Sequence, residues 1–105
     1  MRSHDYADIF PMMGEAEFEA LKADIKANGQ KNPIIIYREC ILDGRNRWKA
    51  CTELHIKPIT QPYFGEDALG FVLSQNLHRR HLNESQRALI GAELFKRGKE
   101  VFLPI

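Results

Sequence analysis

The sequence has little of several things that would have declared a function class at once. It carries only two cysteines, Cys40 and Cys51, too few for the disulfide framework of a small secreted domain, so they read as core thiols in a reducing compartment. No apolar run approaches the length needed to span a bilayer, and no targeting segment is visible. A cytoplasmic chain that avoids the membrane is therefore expected. Net charge is scarce too: 15 Lys and Arg stand against 14 Asp and Glu, so overall charge declares no nucleic-acid partner. Its distribution is less even. Residues 1–24 carry Arg2 and Lys22 against six acidic residues, net −4, which leaves +5 on the rest. An acidic first segment on a basic body accords with an anionic ligand for that body. Repeats and low-complexity segments are absent. What remains is 105 residues with 44% hydrophobic content, enough for one compact domain.

The chain is organised around the stretch from Ile41 to Cys51. Ile34 to Tyr37 is a β-branched and aromatic run, and Cys40 to Leu42 reads as its returning strand across a tight Arg38-Glu39 reversal. Asp43-Gly44 is a sharp turn in which the missing Cβ permits close approach by another molecule. A helix starts at Arg45 and ends near His55, with Trp48, Cys51, Leu54 and His55 on one face. Its first turn holds Arg45, Asn46 and Arg47, although a helix N-terminus disfavours cations. An anion held by the N–H groups, the dipole and the guanidinium forks would reconcile them. The bland alternative is two solvated arginines that snorkel away.

Around this centre, Tyr6 to Phe10 reads as a short strand ended by Pro11. Glu15 to Asn28 reads as an amphipathic helix with Phe18, Leu21 and Ile25 inward and a left-handed stop at Gly29. Ile59 to Phe64 has strand character, with Pro62 placing it at an edge or bulge. A third helix runs from Glu66 or Asp67 to about Leu77, burying Leu69, Val72, Leu73 and Leu77. Asn76 lies within that face, either as a structural hydrogen-bonder or as a ligand contact. The basic run His78-Arg79-Arg80-His81 follows. Asn83 and Gln86 open a fourth helix in the manner of a capping box, Gly98 stops it, and residues 101–105 form an apolar tail. His78 and His81 have a metal-ligand spacing, but the neighbouring arginines repel a cation, so no metal site is expected.

Two boxes, Asp43-Gly44-Arg45-Asn46-Arg47-Trp48-Lys49-Ala50 and Asn76-Leu77-His78-Arg79-Arg80-His81-Leu82, resemble those of the ParB/sulfiredoxin superfamily. The likeness is greatest to the N-terminal domain of ParB-type partition and plasmid regulatory proteins, and it extends from about Ala7 to Leu94. It implies an α+β fold: a small mixed β-sheet flanked by helices, with a C-terminal helix. The implied division is a ParB-like domain over 1–82 and, over 83–105, a helix and apolar tail where a helix-turn-helix region would begin. The implied site binds a nucleotide phosphate through Asp43, Gly44, Arg45, Asn46, Arg47, Asn76, Arg79 and Arg80. A nucleoside triphosphate, CTP or ATP, is the implied ligand, with magnesium as its companion.

The boxes also depart from the family pattern. CTP-switching relatives read Gly-Glu-Arg-Arg and Glu-Asn-x-x-Arg. Here Arg45 stands at the glutamate, Asn46 at the first arginine and Gln75 at the second acidic position, so both expected metal-linked carboxylates are missing. Asp43 is the one carboxylate left to compensate. Sulfiredoxins place a cysteine where Arg45 stands, which argues against that chemistry. Free-serine kinases share the Asp43-Gly44 pair and Arg47, so an enzyme (NTPase, small-molecule kinase or nuclease) is the alternative to a binding module in DNA partition or regulation. Ala88, Ala92 and Phe95 with Leu89 beside them make a wide apolar face on the last helix, which either folds back on its own domain or is exchanged with a second copy; a homodimer is the favoured expectation. Without a reader domain, DNA binding is expected to be weak and salt-dependent.

Overall fold

A computed structural model describes residues 1–79 and 84–96 of the chain. A single 3-10 turn at Ala7–Ile9 comes first, then helix α1 (Glu15–Asn28), strands β1 (Ile34–Tyr37) and β2 (Cys40–Asp43), and helix α2 (Arg45–Glu53). Strand β3 (Thr60–Pro62) and helices α3 (Ala68–Arg79) and α4 (Glu84–Lys96) complete the order. The fold class is α+β, a small mixed sheet flanked by helices.

β1 is the centre of the sheet, with strand order β2-β1-β3. β1 and β2 form an antiparallel hairpin in which Tyr37 faces Cys40 and Ile36 faces Ile41. The register slips between Ile35 and Ile36, so that Ile35 faces Asp43. β3 pairs with β1 in parallel, Ile34 opposite Thr60 and Ile36 opposite Pro62. A parallel pair needs a crossover, and α2 lies within it. Pro62, which has no N–H to donate, sits on the edge strand where none is needed.

The side chain of Gln30 extends the sheet. Its amide accepts from Ile59 N–H and donates to Ile59 O, both at 2.8 Å, as a neighbouring strand would.

Alternation along the strands sends side chains to two faces. On one, Leu42 packs with Phe10, with Ala68, Leu69, Val72 and Leu73 of α3, and with Ile90 of α4. A separate cluster joins Phe18 and Ile25 of α1 with Ala50 and Cys51 of α2, backed by Leu21 and Leu54. Both cysteines are buried and free. Among the described residues, no helix is long and apolar enough to cross a membrane.

Two local expectations need correction. Tyr6 to Phe10 is not a strand: it curls into the 3-10 turn, its first N–H groups bonding back to His4 O. The strand-like pairing falls earlier, where Ser3 bridges Ile41 in parallel. The misreading came from aromatic and aliphatic residues that serve as anchors: Ala7 and Phe10 are buried. Gly29 does end α1 with φ +81, but its ψ of 173 extends the chain instead of curling it left-handed. The Asn83 cap, the Gly98 stop and the tail over 101–105 lie outside the described residues.

Candidate functional site

β2 delivers Asp43 to the end of the sheet, and the chain turns there through Gly44 at φ +105, ψ 28. That conformation is left-handed and strained for any residue with a Cβ. Contact adds to it. A Cβ on Gly44 would lie 3.0 Å from Arg47 Nη2 and 3.1 Å from Ile34 Cγ1. Gly44 serves as the N-cap of α2 without a side-chain cap, and the first turn holds no acidic residue. The first intrahelical bond is Trp48 N–H to Gly44 O at 2.9 Å. By helix geometry, the N–H groups of Arg45, Asn46 and Arg47 precede that bond and point out of the helix end.

The two arginines do not snorkel into solvent; each side chain is only 14% exposed. Arg47 Nη2 donates to Asp43 Oδ2 at 3.1 Å and, more loosely, to Pro33 O at 3.4 Å. Its guanidinium therefore lies folded over the glycine turn. Arg45 reaches the other way: Nη2 donates to Phe10 O at 2.7 Å, and Nη1 stands 3.6 Å from Asp8 Oδ1. Burial pulls the pKa of Arg45 below its ordinary value, and Asp8 and then Asp43 oppose that shift. Asn46 Oδ1 accepts the N–H of Met13 at 3.2 Å. Asp43, 8% exposed, is bound by Arg47 and so is not an idle carboxylate.

The second box is placed by α3. Asn76 Nδ2 donates to Val72 O at 2.8 Å, so this partly buried amide has a structural partner inside its own helix. Arg79 is the last residue of α3. Arg80 lies outside the described residues, as does the side chain of Arg79. The structure thus gathers Asp43, Gly44, Arg45, Asn46 and Arg47 at one turn and assigns Asn76 to α3.

Sequence reasoning missed Asp8, the Phe10 and Pro33 carbonyls and Gln30. Asp43 and Arg47 stand four residues apart, and that spacing was a readable signal for their pairing. The others act across 14 to 37 residues of chain, where no local pattern marks them.

The fit to magnesium can be judged from the donor set. Asp43 is committed to Arg47, and among the described residues no three His, Cys, Asp or Glu side chains gather to hold a metal. Such a set does not fit a metal held by the protein. Cys51, buried in the α1/α2 core, has its pKa pushed up by burial and only partly lowered by Arg47. It remains a thiol at neutral pH, which disfavours nucleophilic chemistry.

A solved ParB-N domain described as Pnob8-like aligns with this chain at a TM-score of 0.70 and 20% sequence identity. The alignment covers 92% of this chain and 41% of that one. The fold is that of a ParB-N domain. No family model matches the sequence, and no curated protein matches it. The chain spans less than half the length of its ParB-N neighbour. On the ParB-N-like fold, the first box is the β2–α2 turn and the second begins within α3 and passes its C-terminal end.

Proposed function

We propose that this chain is a nucleotide- or phosphate-binding module on a ParB-N-like fold, working in DNA partition or in plasmid- and phage-type DNA regulation. The turn at Gly44 carries the reading. A left-handed glycine opens α2 with no side-chain cap, and a guanidinium is already folded over it. Outward N–H groups, the dipole and Arg47 together form the kind of helix start at which phosphate oxygens bind. Arg79 and Arg80 join from the second box. The ligand is a nucleoside triphosphate, CTP or ATP, taken by its phosphates.

Binding without turnover is the expected behaviour, because the donor set of the described residues does not fit magnesium. The partner for α4 is a second copy of the chain: Leu89 is 70% exposed and Ala88 and Ala92 face outward, while Ile90 points into the core. DNA contact is weak and electrostatic. The buried thiols accord with a cytoplasmic setting.

A thermal-shift screen against the four ribonucleoside triphosphates, with phosphate release assayed separately, tests the reading. A ligand at 100 times its Kd adds about 2.7 kcal/mol of stability. Arg79→Ala should remove that shift. If no triphosphate moves the melting temperature, the site does not bind phosphate.

A further inference from the structure

The segment ahead of α1 lies across the opening of α2. Three contacts from this short stretch fall on two adjacent residues of the first turn. Asp8 Oδ1 stands 3.6 Å from Arg45 Nη1, Phe10 O accepts from Arg45 Nη2 at 2.7 Å, and Met13 N–H donates to Asn46 Oδ1 at 3.2 Å. For Arg45, a carboxylate and a carbonyl supply the oxygen acceptors that a phosphate group would supply.

We propose that residues 8–13 are a strap acting as an internal ligand of Arg45, which an incoming anion must displace. This concerns the regulation of the phosphate site proposed above and rests on that reading.

The way the strap is fastened suits displacement. Phe10 is 1% exposed and packs in the core with α3 and Ile90, which pins the middle of the strap and leaves the Asp8 side chain and the Met13 contact as the parts that yield. Beyond it, Pro11 to Gly14 are all exposed, so this part can lift without uncovering a core. Asp8 is itself half exposed and also accepts from the Ser3 hydroxyl. An ion pair so open to water is weak, so it can tune an affinity without locking the site. The Asp8 carboxylate is then placed to oppose an anion until the strap yields.

The test compares wild type, Asp8→Asn and Asp5→Asn by calorimetric titration with inorganic tripolyphosphate. Asp5 is exposed, and its substitution removes the same charge without touching the strap contacts. Asp8→Asn should bind about two- to fivefold tighter than wild type, and Asp5→Asn should match wild type. Independently, saturating tripolyphosphate should speed hydrogen exchange at the Met13 amide in wild type, because that N–H leaves Asn46. Equal affinities for wild type and Asp8→Asn overturn the strap while leaving the phosphate site standing. An equal gain in both variants reduces the effect to general charge and overturns it as well. If no variant binds tripolyphosphate, the strap and the site fall together.

Discussion

β2 is entered through Arg38 and Glu39 and left through Gly44, and all three residues have positive φ. The hairpin turn takes φ +51 and +63 with two residues that carry a Cβ, where Asn-Gly is the favoured pair. Both are exposed, and Arg38 lies over the Tyr37 ring at 5.1 Å from its centroid. Nothing in that surface requires glycine, so the strain is merely tolerated. At the other end of the strand, a Cβ is excluded twice, by φ and by the packed guanidinium. A left-handed residue is therefore informative when its neighbours forbid a side chain, and much less so when only the backbone objects.

The same substitution at the two turns gives the largest contrast. Arg47→Ala leaves Asp43, 8% exposed, without its buried cation, at a cost of about 3 kcal/mol. Arg38→Ala loses only an exposed cation–π contact worth about 0.5 kcal/mol. Urea midpoints at constant m-value check both, and equal losses would dissolve the distinction. Adding Asp43→Asn to Arg47→Ala should recover about 1 kcal/mol, because a buried amide costs less than a buried charge. Because Arg47 holds this ion pair, its removal tests stability together with the proposed ligand binding.

Gly44→Ala comes next, at about 2 kcal/mol for the strained φ and the tight approach to Arg47 and Ile34. Thermal unfolding would measure it, and a cost below about 0.5 kcal/mol would mean that the turn relaxes freely. The smallest effect has the opposite sign. Arg38→Asn together with Glu39→Gly supplies the residues a two-residue hairpin prefers and should stabilise by about 1 kcal/mol. A loss instead would show that the Arg38–Tyr37 contact matters more than the strain.

Much of this contrast was legible in the sequence. The isoleucine run, the two-residue reversal and Asp43-Gly44 gave the hairpin and the turn, because each is a local signal of propensity or chirality. The Gly29 ending and the inward Phe18 and Ile25 were likewise written in α1. What the sequence hid was how the cations are spent. Arg45 finds its acceptor 35 residues away, and Tyr6 to Phe10 carried a strand's composition while serving to anchor a curl. Gln30 reads as an ordinary polar residue after a helix. Only the fold turns its amide into a rung beside Ile59.

The mixed sheet also sets unequal demands on the chain that builds it. Pairing Tyr37 with Cys40 closes a gap of three positions, whereas pairing Ile34 with Thr60 closes one of 26. The logarithmic growth of closure entropy makes the second about 2 kcal/mol dearer, and β3 brings only three exposed residues to offset it. The bonds of Gln30 to Ile59 fall at the mouth of that long loop, adding two contacts where the chain most needs a clasp. Gly44 and the whole of α2 lie inside the same loop. The opening of α2 is thus anchored on its hairpin side by a short-range pairing and on its β3 side by a long-range one.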